Sequence, residues 1–314
     1  MSSRALITGG AGFIGSHLAR RLVRDGVSVR ILDNFSSGKR ENLGKLASEA
    51  EWIESDIRNL EAVVRAARGV DCIYHQAALA SVPRSIEDPL TTHEVNVTGT
   101  LHVLLGAREA SVPRVILASS SSVYGETPTL PKREDMIPSP VSPYAAQKLA
   151  LELYARQFFL HYRIATVCLR YFNIFGPNQE PNSPYAAVLP CFVARIRSGK
   201  SPLIHGDGAQ TRDFTYVDNA VEANVLAARV DGIGGEVFNV ASGRQTTVRA
   251  LAEGVAQRMG CPNGIECGPA RPGDVLHSYA DITKARATLG YDPPVSFETG
   301  LERTLAWFAG AEVP

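Results

Sequence analysis

The chain has 314 residues and no excess of charge of either sign, because 32 Lys and Arg residues balance 32 Asp and Glu residues. A chain without net charge has no overall field to attract nucleic acid or a membrane surface, so we expect neither as a partner. No apolar run in the sequence approaches the roughly 18 residues of a membrane-spanning helix. Internal repeats and low-complexity segments are also absent from it. The composition, with 45% hydrophobic and 20% charged residues, is typical of an ordinary soluble globular protein with a large core.

Cysteine is scarce and follows no pattern. The cysteines are odd in number, with no CxxC pair and no Cys/His spacing of a metal site. They are Cys72, Cys168, Cys191, Cys261 and Cys267. We therefore expect free thiols in a reducing cytoplasm, and no bound metal. The first residues lead directly into a strand and a glycine loop, so we also expect no signal peptide.

Strand and helix patterns alternate in the first half of the chain. Apolar runs predict strands over 5–8, 27–32, 72–75, 115–118 and 165–170. Helical periodicity predicts helices over 13–25, 61–68, 91–110 and 144–162. Helices of this length between strands indicate βαβ units. We therefore predict an α/β fold with a doubly wound parallel sheet of the Rossmann type.

The pattern changes after residue 172. Gly, Pro, Asn and Asp become frequent over 173–184 and 198–213, and the last hundred residues mix short strands and helices. We predict a dinucleotide-binding domain over 1–172, to which elements around 213–248 return. A smaller mixed α/β lobe over 173–212 and 249–314 is expected to bind the substrate.

A glycine loop follows the first predicted strand. Gly9, Gly12 and Gly15 form GxxGxxG between strand and helix, where glycine allows a tight turn and a close approach to a pyrophosphate. Asp33 ends the next strand, and its carboxylate suits both ribose hydroxyls of adenosine but would repel a 2′-phosphate. The sequence therefore predicts NAD rather than NADP as cofactor. Asp56, after a further strand, suits either the adenine amine or the cap of a turn.

Tyr144 and Lys148 stand one helical turn apart in SPYAAQK, so they share a face of the helix. Ser142 suits the N-cap and Pro143 the first helical position, which places Tyr144 where the helix dipole favours an anion. A tyrosine that acts as a base near neutral pH needs a pKa roughly 3 units below its ordinary value near 10. The ammonium, the helix end and a cationic nicotinamide together suit that task. The same spacing also occurs on helices without a catalytic role.

Motifs along nearly the whole chain resemble the extended short-chain dehydrogenase/reductase superfamily, and within it the nucleotide-sugar 4-epimerases. They are TGGAGFIGSHL at 8–18, LDN at 32–34, ESDI at 54–57, HQAA at 75–78, VNVTGT at 95–100, ASSSSVYG at 118–125, SPYAAQK at 142–148, RYFNIFGP at 170–177, TRDFTYVDN at 211–219 and RPGD at 271–274. The resemblance implies a Rossmann fold, bound NAD and a UDP-sugar substrate.

The resemblance also implies which residues contact the cofactor. Those at the pyrophosphate are Gly9, Gly12, Phe13, Ile14 and Gly15. Those at adenosine are Asp33, Asn34, Asp56 and Ile57. Those that pass beneath the cofactor or lie near it are Ala77, Ala78, Asn96, Tyr144, Lys148 and Tyr171.

The serine run at 119–122 contains the expected catalytic hydroxyl. In the family this hydroxyl lies four residues before the tyrosine of VYG, here Tyr124, so the resemblance points to Ser120, with Ser122 second, as the partner of the sugar O4. Sugar-nucleotide dehydratases of the superfamily carry Asp-Glu at the two positions that follow, and UDP-glucuronate decarboxylases carry Glu at the second of them. This chain has Ser121 and Ser122 there instead. The resemblance therefore favours epimerisation.

The second lobe is expected to hold the nucleotide diphosphate. The resemblance assigns Asn173, Arg212 and Arg271 to the diphosphate and Asp274 to the uridine ribose, with Phe214 nearby. Arginine suits a diphosphate because its planar fork carries a permanent charge. Without the resemblance, the two arginines would suit a surface ion pair and a solvated turn.

These features predict an NAD-dependent UDP-hexose 4-epimerase that acts through a transient 4-keto sugar. One alternative is a UDP-glucuronate 4-epimerase, which ASSSSVYG also fits, although residues 178–190 offer no basic partner for a carboxylate. A second alternative is a non-catalytic NAD-binding sensor, which the presence of Ser120, Tyr144 and Lys148 together argues against.

The width of the sugar site is a further expectation. In related 4-epimerases the position seven residues after the arginine of RPGD faces the sugar, and a small residue there admits N-acetylhexosamines. Counting from Arg271 gives Ser278, with Tyr279 adjacent, so a shift of one residue would reverse the inference. The segment YAAVLP at 185–190 also resembles relatives that act on N-acetylhexosamines. We therefore expect UDP-GlcNAc and UDP-GalNAc as substrates alongside UDP-Glc and UDP-Gal.

A homodimer is expected from the same resemblance. The predicted helices over 91–110 and 144–160 match those that pair in dimeric relatives. Their apolar residues suit packing against the sheet equally well.

Overall fold

The computed structural model describes residues 3–180, 187–261, 264–269 and 276–311. Its main strands are β1 (Arg4–Thr8), β2 (Ser28–Asp33), β3 (Glu51–Glu54), β4 (Cys72–His75), β5 (Arg114–Ser120), β6 (Ala165–Tyr171) and β11 (Glu236–Val240). They form one parallel sheet in the order β11-β6-β5-β4-β1-β2-β3. The order reverses between β1 and β4, and in such sheets ligands bind beside that point at the carboxyl ends of the strands.

Helices cover both faces of this sheet. They are α1 (Phe13–Arg24), α2 (Leu60–Ala67), α3 (Val82–Glu87), α4 (Pro89–His93), α5 (Gly99–Glu109), α6 (Pro143–Tyr162), α7 (Val188–Arg197), α8 (Val217–Arg229), α9 (Val248–Arg258), α10 (Thr283–Leu289) and α11 (Phe297–Phe308). Successive side chains of a strand point to opposite faces, so Ile7 packs in a core with α1, α8 and α10, while Leu6 packs in another with α2, α5 and α6.

The helix predicted over 91–110 contains an irregular turn. Helix α4 continues into a π-type turn over Glu94–Thr98 and then into α5. Such turns inside helices are frequent at functional sites because they re-aim a side chain. Here the turn carries Asn96.

The later part of the chain builds a third core beside the sheet. Short strands pair there: β7 (Ile174–Phe175) with β10 (Thr215–Tyr216), β8 (Leu203–His205) with β13 (Glu266–Gly268), and β9 (Thr211–Arg212) with β12 (Thr246–Thr247). Helices α7, α9 and α11 pack together through Phe192, Leu251 and Leu301. Phe13 and Ile14 of α1 pack against this core, so it adjoins the face of the sheet that α1 covers.

The α/β fold with a doubly wound parallel sheet is confirmed. Strand β11 pairs with β6, so a segment far beyond residue 172 returns to the sheet. The division of the chain into two lobes stays a prediction. Among the described helices none is long and apolar enough to cross a membrane. The five cysteines are free thiols, and the described part of the chain holds no group of three or more His, Cys, Asp or Glu placed for a metal ion.

Candidate active site

The glycine loop between β1 and α1 leaves room that any side chain would fill. Gly9 has φ +70°, and a Cβ added there would lie 2.6 Å from the backbone nitrogen of Ala77. A Cβ on Gly15 would overlap the carbonyl oxygen of Gly9. Gly12 is the N-cap of α1 and offers no side chain to its first turn. The free N–H groups of that turn make a suitable site for a phosphate anion.

Three polar residues stand at the carboxyl ends of β2 and β3. Asp33 is buried and accepts hydrogen bonds from the backbone nitrogens of Ala11 (2.9 Å) and Phe35 (2.8 Å). Burial raises the pKa of Asp33, and these hydrogen bonds oppose that shift. Asn34 donates to Asp56 Oδ2 at 2.8 Å. The two carboxylates are thus held in place at the edge of the sheet.

Asp56 serves as the cap of a turn. Its Oδ1 accepts from the backbone nitrogen of Arg58 at 2.8 Å, and its Oδ2 pairs with the Arg58 guanidinium at 3.0 Å. The hydrogen bond from the Arg58 side chain lowers the pKa of Asp56. Asp56 also lines the cavity, so the two alternatives from the sequence are compatible.

A cavity of about 380 Å³ runs between these groups, and we call it the cofactor cavity. It meets eleven of the residues that the sequence assigned to the cofactor. They are Gly9, Gly12, Phe13, Ile14, Gly15, Asp33, Asn34, Asp56, Ile57, Ala77 and Ala78. The glycine loop leaves room beside the backbone for a pyrophosphate, and the Asp33 carboxylate stands at the end of β2. Both features fit NAD.

Asn96 supports this cavity without lining it. Its Oδ1 accepts from the backbone nitrogen of Leu79 at 2.8 Å, while its Nδ2 donates to Leu79 O at 3.1 Å and to Gln147 Oε1 at 2.8 Å. Each polar atom of the buried amide is therefore engaged by protein. Asn96 holds Leu79, which lines the cavity, against the helix of Tyr144, and its place near the cofactor stays a prediction.

Ser120, Tyr144 and Lys148 meet at the carboxyl end of β5. Ser142 Oγ accepts from the backbone nitrogen of Ala145 at 3.2 Å, so the predicted N-cap of α6 is confirmed and Tyr144 lies in the first turn. The Tyr144 hydroxyl lies near enough to Ser120 for the serine side chain to lower the pKa of the phenol. Lys148 Nζ lies 5.9 Å from the centre of the Tyr144 ring.

Burial changes the pKa values of this group. It raises the pKa of Tyr144, and the nearby Ser120 side chain acts in the opposite direction. It lowers the pKa of Lys148 to about 8. The protein surroundings alone therefore do not supply the lowered tyrosine pKa expected from the sequence. Because Lys148 stays largely protonated at neutral pH, its charge and that of an oxidised nicotinamide are the means available to lower it.

Tyr171 belongs to a polar network behind this group. Its hydroxyl oxygen accepts from Asn224 Nδ2 at 2.6 Å and lies 3.2 Å from Gln76 Nε2. Burial raises the pKa of Tyr171 to about 12, so the phenol stays neutral. Gln76 lines the cofactor cavity, which places Tyr171 one residue behind it.

A second cavity of about 560 Å³ lies among α7, β7, β8 and β9. Asn173, Arg212 and Phe214 line it, so the structure brings together these three predicted substrate residues. Arg212 Nη1 donates to Thr211 O at 2.9 Å. Ser120 lies opposite Tyr171 in the sheet, and Asn173 follows Tyr171 by two residues, so the group of Ser120, Tyr144 and Lys148 lies near the second cavity. None of the three lines either cavity.

The other predicted substrate residues differ in their placement. Arg271 and Asp274 lie outside the described residues. The backbone nitrogen of Ser278 donates to Thr211 O at 3.1 Å, which places it beside β9 and next to the second cavity rather than in its lining. Ser122 Oγ is buried and has no hydrogen-bond partner in the described part of the chain.

The sequence analysis missed two residues of α3. Arg84 lines the cofactor cavity, and Ser85 Oγ accepts from the backbone nitrogen of Tyr144 at 3.0 Å. Ser85 thereby satisfies one of the free N–H groups at the start of α6. The signal for both is the polar pair in SVPRS, shortly after HQAA.

The sheet order, the glycine turn and Asp33 at the end of β2 define a dinucleotide-binding α/β protein. The NAD dependent epimerase/dehydratase family matches residues 5–241, and the chain belongs to this family. The protein is thus an enzyme, and NAD is its cofactor.

Similar proteins extend the match over nearly the whole chain. A UDP-glucose 4-epimerase of Mycolicibacterium smegmatis is 40% identical over 97% of this chain and 98% of its own. A UDP-N-acetylglucosamine 4-epimerase of Methanobrevibacter ruminantium, solved with UDP-N-acetylmuramic acid, is 40% identical with a TM-score of 0.94 and 99% of each chain covered. A Thermus thermophilus UDP-glucose 4-epimerase solved with NAD is 37% identical, with a TM-score of 0.89, over 98% of this chain and 100% of its own.

Proposed function

We propose that the protein is a UDP-hexose 4-epimerase that retains its NAD through each turnover. The observation that carries this proposal is the convergence of Ser120, Tyr144 and Lys148 at the carboxyl end of β5, where Tyr171, opposite Ser120, lies two residues before Asn173 of the second cavity. A phenol and a hydroxyl at that point can act together on one sugar hydroxyl. Relatives named as 4-epimerases align with this chain from end to end.

The residues have separate roles in this reaction. Tyr144, once ionised, removes the proton of the O4 hydroxyl, and Ser120 orients that hydroxyl or relays its proton. Lys148 favours the phenolate through its charge. NAD, when bound in the cofactor cavity, would supply the hydride acceptor and donor for C4, and the sugar must present its opposite face for the return. Tyr144 then gives the proton back to O4, so no external reductant is consumed.

Turnover also requires the sugar to rotate while the nucleotide stays fixed. We assign the nucleotide to the second cavity, where Arg212 and Asn173 face the diphosphate and Phe214 packs nearby. Arg271 and Asp274 join them in this proposal by family resemblance. It follows that residues 1–172 with 213–248 hold the cofactor, and that 173–212 with 249–314 hold the nucleotide sugar.

Direct assay of substrates tests the proposal. The protein is incubated without added NAD with UDP-glucose, UDP-N-acetylglucosamine or UDP-glucuronate, and the products are resolved by anion exchange and NMR. We expect the 4-epimer of each hexose and no net NADH. Stoichiometric NADH would identify a dehydrogenase, and turnover of UDP-glucuronate alone would identify the uronate epimerase.

We further propose that Ser278 leaves room for an N-acetyl group at C2 of the sugar. Its side chain is small, and the chain places it beside β9 of the second cavity. Ser278→Tyr is expected to abolish turnover of UDP-N-acetylglucosamine by steric overlap and to leave UDP-glucose turnover within about twofold. The control is Ser198→Tyr, at an exposed position. Ser242→Tyr is unsuitable as a control because Ser242 Oγ donates a hydrogen bond to Asp213. Retained N-acetyl turnover in Ser278→Tyr refutes the idea.

We also propose a homodimer formed through α6. Leu153, Tyr154, Leu160 and Tyr162 are all exposed on this helix, which is unusual for a run of large apolar side chains. Sedimentation at micromolar concentration is expected to show a dimer. A monomer would remove the proposal.

A further inference from the structure

A buried ion pair lies directly behind the catalytic group. Glu152 on α6 and Arg170 on β6 are 6% and 3% exposed. Arg170 Nε donates to Glu152 Oε1 at 2.9 Å, and Nη2 donates to Oε2 at 2.7 Å. No step of the proposed reaction uses either charge.

This pair has direct bonds to the segments that carry the reacting side chains. Glu152 follows Lys148 by one helical turn and Tyr144 by two, so the three share a face of α6. Glu152 Oε1 also accepts from Ser119 Oγ at 2.6 Å, and Ser119 immediately precedes Ser120. The carboxylate therefore joins the helix of Tyr144 to the strand that ends in Ser120.

A second bond runs parallel to the first. Lys148 Nζ donates to the carbonyl oxygen of Ala118 at 2.6 Å. Two successive turns of α6 thus grip two successive residues of β5, just before Ser120. The distance between the Ser120 and Tyr144 hydroxyls depends on how this strand and helix are spaced.

Arg170 extends the contact to the turn after Ser120. Its guanidinium carbon lies 4.6 Å from the centre of the Tyr124 ring. The Tyr124 hydroxyl in turn donates to Asn239 Oδ1 at 2.7 Å. The segment from Ser119 to Tyr124 is therefore held at both ends by the ion pair.

Stability alone is a poor reason for such a pair. Removing two charges from water costs energy that their attraction repays only with good geometry, and apolar replacements of similar volume are often as stable. The bonds of Glu152 instead fix the position of the strand and helix that carry the reacting groups. We propose that Glu152 and Arg170 are positioning residues that set the spacing between Ser120 and Tyr144. This inference rests on the proposed function.

An apolar replacement of the whole cluster separates positioning from stability. In Ser119→Ala/Glu152→Leu/Arg170→Met no buried polar group of the cluster is left unpaired. We expect a folded, NAD-loaded protein with kcat reduced by about 100-fold and KM within about twofold of wild type, because a misplacement of about 1 Å costs that much in rate. Unchanged kcat in the folded, loaded variant overturns the proposal.

A conservative variant decides the matter if the triple variant does not fold. Glu152→Gln keeps an acceptor oxygen for Ser119 but loses the charge that holds Arg170, so kcat should fall by about tenfold with KM unchanged. An unchanged kcat again overturns the proposal. The matched control is Arg21→Met/Glu222→Leu, which removes a half-buried pair (2.6 Å) between α1 and α8, away from the site, and should leave kcat unchanged.

A measurement without substrate distinguishes this inference from the proposed function. The ionisation of Tyr144 is followed by ultraviolet absorbance, as the difference between each protein and its Tyr144→Phe form. The groups that interact with Tyr144 and Lys148 are Ser120 on β5, His75 on β4, Cys168 on β6, Ser85 on α3 and Glu152 on α6, and Arg170 acts on them only through Glu152. The triple variant should change the pKa of Tyr144, whereas the control pair should not. If wild type lacks epimerase activity but this shift occurs, the proposed function fails and the positioning role stands. An unchanged Tyr144 pKa overturns the positioning role.

Discussion

The cofactor cavity takes its lining mainly from the ends of β1 to β4 and the loops that follow them, whereas the second cavity combines β7, β8, β9, α7 and the start of α9. In the first cavity, the glycine loop presents backbone to the ligand, and a carboxylate ends the next strand. The second cavity is lined by side chains from several separate segments, which share no common sequence motif. Substitutions should therefore act through overlap with backbone in the first cavity and through lost contacts in the second.

The largest effect is expected from filling the glycine cradle. In Gly15→Ala the new Cβ overlaps the carbonyl oxygen of Gly9, so the turn must open and bound NAD should be lost completely. Gly254→Ala in α9 is the control, because its Cβ would meet only side-chain atoms of Leu301 and Arg258, at 3.3 and 3.4 Å, away from the cofactor cavity. The NAD content of the purified proteins, measured after denaturation, checks this. Equal retention in both variants would contradict a backbone-built site.

Substitution of Tyr144 should give the next largest effect. In the proposed reaction Tyr144→Phe removes the proton acceptor for O4, so kcat is expected to fall by about 10³-fold while NAD is retained. Tyr154→Phe, an exposed tyrosine on the same helix, is the control and should match wild type. Undiminished turnover in Tyr144→Phe would end the catalytic assignment.

Lys148 links burial to pH. Because burial lowers its pKa from 10.5 to about 8, the folded protein releases this proton at a lower pH than the unfolded chain. The unfolded state then binds more protons between those values, so stability rises with pH across this window. Relative to Lys148→Met, the free energy of unfolding of wild type should rise by on the order of 3 kcal/mol. Denaturant titrations between pH 7 and pH 10.5 measure the difference in free energy of unfolding between the two proteins. A difference that does not change with pH would contradict the burial of the ammonium.

The smallest effect is expected in the second cavity. Arg212→Met removes one charge-assisted contact to the diphosphate, so KM should rise by about tenfold with kcat little changed. Arg244→Met, an exposed arginine outside this cavity, is the control. A large loss of kcat together with NAD in Arg212→Met would show that the two cavities are not separate in function.

Local features were predictable because their causes lie within a few residues. The glycine turn, the place of Asp33 at the end of β2 and the cap formed by Ser142 each depend on residues that are neighbours in the sequence. The parallel sheet follows from alternating patterns of strand and helix. The resemblance added the pairing of Ser120 with Tyr144, which spacing alone does not reveal.

Residues that act across long separations were not predictable in the same way. The amide of Asn96 bonds to Leu79 and to Gln147, which lies 51 positions away, and neither partner was expected from the sequence. Arg84 and Ser85 lie on a short helix whose role depends on its approach to α6. The residues around Asn96, Arg84 and Ser85 in the sequence do not indicate which distant residues these three contact.

The sequence by itself determined the alternation of strands and helices, the glycine loop and Asp33 at the end of β2, because each depends on local conformation or on a continuous motif. Only the tertiary structure decided how those side chains are held and charged. The Glu152–Arg170 pair joins α6 to β6, and burial sets the pKa of Lys148. Both arise from removing groups from water into a packed interior, which is a property of the assembled fold and of no single segment.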